Sequence, residues 1–363
     1  MDWLVTNFPP VQDLETRRVL KKSLQANKYL AELKGLAQSI PNQSILINTL
    51  SLQEAKDSSE IENIVTTYED LFKADKYVKS LPPATKEVYR YADALLAGFE
   101  AVDKKGFISL NHIKKIHSVL TDSEAGFRTQ AGTELRNEQT GETVYVPPQN
   151  PDNLTALLSQ LELYVNRDID DTVDDLVRMA LIHHQFESIH PFSDGNGRTG
   201  RILNILYMIL KGLVDIPILY LSRYITSTKT DYYRLLQDVR DTGEWEDWIL
   251  YILEGVEVTS KHTIEVIHVL KEMMQNTKNA MRENLPKIYS QDLLNIIYRH
   301  PYTKTINVIN ELQVSRPTAT RYLEQLAAHN ILNREKIGRD VFYINDGLAN
   351  LFFNMPPLGT QKP

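Results

Sequence analysis

One run near the middle of the chain, Phe186 to Arg201, restricts the fold more than any other feature. A helix that enters this run is expected to end near His190, because Pro191 disfavours an α conformation in the residue before it. Two glycines follow, and they allow backbone angles that other residues avoid. A second helix is predicted to begin near Arg198. The run therefore predicts two helices joined by a short, glycine-containing loop.

The same run brings together side chains suited to acid–base chemistry, metal binding and phosphate binding. His190 is a candidate general base, because the partial negative charge at a helix C-terminus is expected to favour the protonated imidazole. Asp194 offers a hard oxygen ligand for Mg²⁺. The loop amides at a helix N-terminus form an anion site, and Arg198 and Arg201 are expected to share one face of that helix. The expected ligand is the phosphate chain of a nucleotide.

Helical spacing of apolar residues dominates most of the remaining sequence. The length of 363 residues indicates more than one domain, because single cores tend to split beyond roughly 250 to 300 residues. A mainly α fold is predicted. Its parts are an N-terminal helical module (1–102), a core helical bundle (103–256), a connecting helix (257–284) and a C-terminal winged helix-turn-helix with a tail (285–363). Core helices are expected over 153–164, 173–189, 198–213 and 230–253.

A short β-hairpin is predicted inside the core bundle. Thr140 and Gly141 favour a turn, and the residues after them are β-branched or aromatic. The predicted strand contains Val144, Tyr145 and Val146, and two prolines end it. The hairpin is either a binding element or a plain structural one.

The C-terminal part carries the pattern of a winged helix-turn-helix. Ser315 is a helix cap that tolerates the proline soon after it, and a two-stranded wing is predicted around Gly338. Residues 285–350 contain eight Lys or Arg and six Asp or Glu, a mildly basic balance. DNA binding and a protein-interaction or dimerisation role are equally compatible with it. The side chains that would face DNA are Arg316, Thr318, Thr320 and Arg321.

Composition excludes several classes of protein. Cysteine is absent, which removes disulfides, thiolate zinc sites and cysteine nucleophiles. The net charge of −7 gives no bulk attraction to nucleic acid. No apolar run reaches the roughly 20 residues of a membrane helix, and the first residues lack the pattern of a secretory signal. A cytoplasmic protein without membrane association is therefore expected.

The run from His190 to Arg201 resembles the signature of the Fic family, His-Pro-Phe-x-(Asp/Glu)-Gly-Asn-Gly-Arg-x-x-Arg, at every specified position. The resemblance implies a Fic-type helical bundle and a protein adenylyltransferase. Such an enzyme moves AMP from ATP to a Ser, Thr or Tyr hydroxyl of a target protein, or of itself. His190 would be the base and Asp194 would hold Mg²⁺. The implied nucleotide-binding residues are Gly195, Asn196, Gly197, Arg198, Thr199, Gly200 and Arg201, with Tyr232 and Tyr233 near the adenine.

Three further details follow from this resemblance. Glycine at 197 favours AMP transfer, since relatives similar to the Doc toxins, which transfer phosphate, carry lysine there. The hairpin at 144–146 corresponds to the flap that aligns the target segment, and Arg128 resembles a family position before the flap. For the two tyrosines, packing in an aromatic core is the alternative to adenine binding.

An inhibitory pattern of the same family, (Ser/Thr)-x-x-x-Glu-(Gly/Asn), matches Ser58, Glu62 and Asn63. The resemblance implies that Glu62 pairs with Arg201 where the γ-phosphate should bind, and so inhibits transfer. In some relatives this glutamate also serves the removal of AMP, which leaves reversal as a second activity. A solvated acidic helix is the alternative interpretation.

Other function classes are retained beside this one. A DNA-binding transcriptional regulator could use the Fic core only to sense a nucleotide, and an inactive remnant of the fold is a further alternative. A metal hydrolase would use His183, His184, His190 and Asp194, but neighbouring residues on a helix point in different directions. A Walker loop and the zincin motif are absent from the sequence. The sequence does not identify the target protein, and it does not decide whether the protein forms a homodimer.

Overall fold

The computed structural model describes residues 5–40, 42–73, 81–137, 140–167, 173–337, 340–353 and 358. These described residues form fifteen helices and five short strands, so the prediction of a mainly α fold is confirmed. The predicted wing tip at Gly338 and all of the C-terminal tail from Met355 except Leu358 lie outside the described residues. Residues 1–4, in which the sequence shows no pattern of a secretory signal, also lie outside the described residues.

The helices of the first half are α1 (Arg17–Gln38), α2 (Ser44–Ile61), α3 (Tyr68–Lys73), α4 (Pro83–Lys105), α5 (Leu110–Thr121), α6 (Pro151–Val165) and α7 (Asp175–Ile189). Those of the second half are α8 (Asn196–Leu210), α9 (Ser222–Ser227), α10 (Lys229–Thr242), α11 (Glu246–Asn284), α12 (Gln291–Arg299), α13 (Thr305–Leu312), α14 (Arg316–Ala328) and α15 (Asp346–Phe353). The strands are β1 (Leu135–Arg136), β2 (Thr143–Tyr145), β3 (Tyr302–Thr303), β4 (Asn333–Ile337) and β5 (Asp340–Ile344).

Short polar side chains begin several of these helices. Asn150 caps α6 by accepting a hydrogen bond from the backbone N–H of Asp152 at 2.8 Å. Asp174 caps α7 in the same way. At the other end of a helix, Gly106 closes α4 in a left-handed conformation with φ 70°. The border predicted between 102 and 103 lies in the last turn of this helix, shortly before Gly106.

The single helix predicted over 230–253 is wrong, because two helices occupy this stretch. Gly243 ends α10 with φ 76°, a left-handed angle that a helix cannot continue through. The following helix, α11, then runs without interruption from Glu246 to Asn284. The border predicted between 256 and 257 therefore falls inside a continuous helix.

Three helices, α11, α8 and α2, organise the core around the motif. Helix α11 packs along α1 and against α7, where the indole N–H of Trp248 donates to the carbonyl of Ala180 at 2.9 Å. Helix α8 packs against α7 and α4, while α2 lies against α4, α9 and α12. The end of α2 consequently lies close to the start of α8.

Two small antiparallel sheets complete the described structure. Strands β1 and β2 form the predicted hairpin, with Leu135 opposite Tyr145. In the C-terminal part, β5 lies between β3 and β4. Ser315 caps α14 as predicted, accepting from the N–H of Thr318 at 3.4 Å.

None of the described helices combines the length and the apolar character that a membrane-spanning helix requires.

Candidate active site

A cavity of about 810 Å³ lies between the hairpin, α10 and the motif loop. This volume is within the range of small-molecule sites. From the motif, His190, Gly197 and Arg201 line it, and from the end of α2, Glu62 and Asn63 do so. The structure thus brings the predicted base, the glycine loop and the predicted inhibitory residues to one cavity.

His190 occupies the C-cap position of α7, where Pro191 stops the helix. Its backbone is left-handed, with φ 49°, which turns the chain sharply into the loop. Burial of the imidazole, together with the Arg240 and Arg128 guanidinium groups, lowers its pKa to about 4. The prediction that the helix terminus favours the protonated form is therefore wrong, because burial and two cations outweigh the helix dipole.

The loop opens α8 two residues earlier than predicted, with Gly195 as the N-cap at φ 76°. A side chain on Gly195 would lie 3.1 Å from Thr121, so the position is closed as well as left-handed. The Asn196 amide group donates to the carbonyl of Phe192 at 2.8 Å and accepts from its N–H at 2.8 Å. Asn196 is buried and its side chain closes the loop from inside, and its predicted contact with the nucleotide stays a prediction.

His117 supports this loop from α5, and the sequence did not single it out. Its imidazole stacks on Phe192 with ring centroids 3.6 Å apart. Its Nε2 atom lies 2.9 Å from the carbonyl oxygen of Asp194. No spacing in the sequence relates His117 to the motif, because the contact depends on how α5 packs.

Thr199 and Gly200 serve packing rather than the cavity. The Thr199 hydroxyl is buried and donates to the carbonyl of Gly195 at 2.8 Å. A Cβ atom on Gly200 would lie 2.6 Å from Oε1 of Glu187, so glycine allows α7 and α8 to approach closely. Both residues thus have packing roles inside the fold, and their predicted nucleotide contacts stay predictions.

Arg198 and Arg201, three residues apart on α8, have different partners in the structure. Arg198 is buried, and its guanidinium donates to Glu87 at 2.9 Å and to Asp194 at 3.4 Å. It lies outside the lining of the cavity, whereas Arg201 lies within it. Arg198 thus positions the carboxylate of Asp194, and a contact with outer phosphates would require Glu87 to move.

The Asp194 side chain is 82% exposed. One exposed carboxylate next to the glycine loop is a donor that fits Mg²⁺, which proteins usually hold through one or two carboxylates together with phosphate oxygens and water. Within the described ranges, no group of three His, Asp or Glu side chains could hold a metal by itself.

The metal hydrolase interpretation is contradicted by the placement of its histidines. His183 and His184 are fully buried, and burial lowers both pKa values, that of His183 to about 3. His183 contacts the hydroxyl of Tyr232 at 2.9 Å, and His184 contacts the carbonyl of Leu236 at 3.1 Å. The two imidazoles diverge and do not approach Asp194 as a cluster.

The predicted pair between Glu62 and Arg201 is present. Arg201 Nη2 donates to Glu62 Oε1 at 2.8 Å and to the carbonyl of Ser58 at 2.8 Å, and its Nε donates to Ser58 Oγ at 2.7 Å. Burial lowers the pKa of Arg201, but Glu62 together with other nearby acidic side chains more than offsets this, and the pKa lies above its ordinary value. The α2 helix is not a solvated acidic helix at this end, since Ser58 is fully buried.

The structure gives a physical reason for the residue types beside this pair. Asn63 has φ 59°, a left-handed angle that asparagine and glycine tolerate best, and it accepts a hydrogen bond from Lys229 at 3.2 Å. A side chain at Gly197 would collide with the Glu62 carboxylate. Glycine at 197 therefore leaves the space that the Glu62 carboxylate occupies.

The two adjacent tyrosines differ. Tyr232 is buried and bonded to His183, so it belongs to the aromatic core. Tyr233 is 45% exposed and lines the cavity. Tyr232 thus fits the packing alternative, and adenine binding by Tyr233 stays a prediction.

The three predicted hairpin residues also differ in their exposure and contacts. Val144 and Val146 are exposed, at 43% and 53%. Tyr145 points inward, and its hydroxyl donates to the carbonyl of Ser188 at 2.9 Å. The Tyr145 side chain therefore anchors the hairpin to α7, while the predicted contact of the hairpin with a target stays a prediction. Val146 follows β2 instead of lying within it.

Three family models match the chain in succession. They are described as "Fic/DOC family N-terminal" (residues 20–100), "Fic/DOC family" (107–208) and "Protein adenylyltransferase SoFic-like, C-terminal domain" (273–348). Curated relatives include the protein adenylyltransferases Fic of Aedes aegypti and Culex quinquefasciatus. The first is 29% identical over 193 residues, or 52% of this chain and 36% of the relative. The second is 27% identical over 238 residues, or 65% and 43%. The chain spans less than half the length of these relatives.

Solved structures show the same fold. A Fic family protein from Desulfovibrio desulfuricans G20 superposes with a TM-score of 0.58 at 20% identity, covering 93% of this chain and 98% of that protein. Fic-1 of Caenorhabditis elegans (residues 134–508) superposes with a TM-score of 0.53 at 19% identity, covering 69% and 74%. The predicted Fic-type helical fold is confirmed. With the complete motif, the successive family models and this fold, the chain belongs to the Fic/DOC family.

Proposed function

We propose that this protein transfers AMP from ATP to a hydroxyl group of a target protein. One observation carries the proposal: His190, the N-terminus of α8 and Arg201 line a single cavity of about 810 Å³. A base, an anion-binding helix terminus and a cation thus face the same space. The names of the curated relatives support the same chemistry.

In the proposed reaction, the phosphate chain of ATP lies across the start of α8. The unpaired N–H groups of the first turn bind phosphate oxygens, and Arg201 binds the outer phosphates. The target oxygen attacks the α-phosphorus as His190 takes the hydroxyl proton. A bond from oxygen to the α-phosphorus forms, the bond from the α-phosphorus to the bridging oxygen breaks, and pyrophosphate leaves. The low pKa keeps His190 neutral beforehand, and the phosphate charges favour its protonated form during transfer.

Asp194 would hold Mg²⁺ in this scheme, with Arg198 fixing its carboxylate. A bound Mg²⁺ supplies positive charge that neutralises the phosphate oxygens.

Tyr233 and the hairpin are the proposed contacts for adenine and target. Tyr233 offers an exposed aromatic ring on the cavity wall. An extended segment of the target would pair with the backbone of the hairpin, beside the exposed Val144 and Val146. Backbone pairing selects little by sequence, which suits transfer to Ser, Thr or Tyr in an exposed segment.

We propose that Glu62 inhibits transfer by holding Arg201. The two groups form a charge-assisted pair at 2.8 Å inside the cavity, where a phosphate would otherwise bind the guanidinium. ATP in the inhibited protein would then lie in an unproductive position. Removal of AMP from a modified protein is the proposed secondary activity, and the Glu62 carboxylate on the cavity wall is the group proposed to assist it.

For the C-terminal part we propose a winged helix-turn-helix. The order α12, β3, α13, α14, β4, β5 and the capped start of α14 support it. The proposed division of the chain is an N-terminal helical module, a catalytic core and this C-terminal part, with α11 bridging the last two. Arg316 and Arg321 are exposed on α14, which is compatible with a DNA or a protein partner.

The position of the label that reaches protein tests the proposed chemistry. The Glu62→Gly chain is incubated with ATP labelled at the α-phosphate or at the γ-phosphate. Label from the α position alone is expected on protein. Label from the γ position would mean phosphate transfer, and no label from either would support a nucleotide-sensing regulator.

A further inference from the structure

The last turn of α7 presents carbonyl groups that have no partner inside the helix. Side chains from two other segments donate to the first of them. Arg240 Nη2, from α10, donates to the carbonyl of Glu187 at 3.3 Å, and its Nε donates to Ser188 Oγ at 3.1 Å. The hydroxyl of Tyr145, from β2, donates to the carbonyl of Ser188 at 2.9 Å. The turn that leads to His190 is thus held from α10 and from the hairpin.

Arg128, in the segment before the hairpin, donates hydrogen bonds to the next backbone carbonyl groups. Its Nε donates to the carbonyl of His190 at 2.8 Å, and its Nη2 donates to the carbonyl of Ile189 at 3.2 Å. Its backbone N–H donates to Pro191 at 2.9 Å. The same guanidinium also donates to the carbonyl of Pro148, directly after the hairpin. Every carbonyl from 187 to 191 accordingly accepts a hydrogen bond from one of three residues.

These three residues also contact one another through the hairpin. The Arg240 guanidinium lies over the Tyr145 ring, 4.1 Å from its centroid. Arg128 bonds the end of the same β2 segment through Pro148. The hairpin and the end of α7 are therefore tied together on both sides of His190.

We propose that Arg128, Arg240 and Tyr145, here called the carbonyl clamp, are positioning residues for the transfer. The clamp holds the last turn of α7, and with it His190, in a fixed relation to the hairpin that aligns the target. This role rests on the proposed function, in which His190 takes the proton of the target hydroxyl. A general base is most effective when its nitrogen is held within a few tenths of an ångström of the position from which it accepts the proton.

The clamp also sets the charge around His190. Arg240 from α10 and Arg128 from the segment before the hairpin are the facing cations, and Glu62 from α2 opposes them. Glu187, on α7 itself, lines the same cavity. Burial and the two cations lower the pKa of His190, so the clamp keeps the base neutral as well as oriented.

The test uses full-length chains that all carry Glu62→Gly. In Arg240→Gln the kcat of transfer is expected to fall about tenfold, while KM for ATP changes less than about twofold, because orientation and not ATP binding is lost. In chains with labelled histidine, the NMR titration of His190 is expected to move up by about one pH unit. Arg240→Lys keeps the cation, so the pKa of His190 is expected to stay closer to its value in the parent chain. His190→Gln assigns the signal.

Arg282→Gln is the matched control, since Arg282 also lies over a tyrosine ring, that of Tyr289 at 5.0 Å, but at the far end of α11. It should change neither readout. Tyr145→Phe removes a single hydroxyl and covers the case in which Arg240→Gln does not fold. Its kcat is expected to fall about threefold or more with KM for ATP unchanged.

The clamp is overturned if transfer and the His190 titration are the same in Arg240→Gln, Tyr145→Phe and the parent chain. A failure of the proposed function looks different. In that case the parent chain itself transfers no label, while the NMR titration still reports whether Arg240 acts on His190.

Discussion

Helices α2 and α7 both end at the same cavity, yet their ends are held in opposite ways. The end of α7 receives hydrogen bonds from two arginines and a tyrosine, and cations at a helix C-terminus are stabilising by about 0.3–1 kcal/mol each. The end of α2 places a carboxylate, Glu62, at its C-cap, where the helix dipole is unfavourable for it. Its stability there depends on Arg201.

This difference indicates which of the two ends moves. At the end of α7, the carbonyl groups have favourable donors without any ligand. At the end of α2, the Glu62 carboxylate depends on Arg201 as its partner, and phosphate groups compete for that guanidinium. We therefore expect His190 to stay in place and the turn at Glu62 to be released when the protein becomes active.

The largest effect is expected at the end of α7. In a chain carrying Glu62→Gly, His190→Ala should lower transfer by about 10²- to 10⁴-fold, because the base that takes the hydroxyl proton is lost. The rate of α-label incorporation measures this. His329→Ala is the matched control, since His329 is exposed on the C-terminal part. Equal rates in the two chains would break the comparison, as His190 would then not act in the transfer.

A smaller effect is expected inside α2. Ser58→Ala, in an otherwise unchanged chain, should raise transfer about twofold to tenfold, because one of the bonds that hold Arg201 to α2 is lost while Glu62 remains. Initial rates of α-label incorporation at fixed ATP concentration would show it.

Ser59→Ala is the control for this change. Ser59 is the next residue, and its buried hydroxyl has no hydrogen-bond partner among the described residues. If Ser59→Ala raised transfer as much as Ser58→Ala, the effect would come from general loosening of α2 and not from Arg201.

The sequence predicted those parts of the site that depend on local rules. Pro191 and the glycine loop placed a helix end and a helix start correctly to within two residues. The pairing of Glu62 with Arg201 was also predicted, through the resemblance to the Fic family. Both outcomes depend on residues whose identity fixes a backbone conformation or a charge.

The parts that were missed depend on segments that meet only in the fold. Arg198 was predicted to serve phosphate together with Arg201, but Glu87 of α4 takes its guanidinium. The pKa of His190 was predicted in the wrong direction, since neither its burial nor the approach of Arg240 can be inferred from the motif. Tyr145 was assigned to the target by its place in the hairpin, and its side chain instead bonds α7.

The most direct test of the account is the rate of α-label transfer by Glu62→Gly relative to the unchanged chain, with Glu60→Gly as the control. Glu60 lies in the same last turn of α2 but pairs with Lys56 at 2.8 Å. Loss of a charge-assisted hydrogen bond of about 1.5–3 kcal/mol predicts that Glu62→Gly is roughly tenfold to a hundredfold faster, with little change in Glu60→Gly. Equal rates in the unchanged chain and Glu62→Gly would contradict the claim that the end of α2 blocks the site.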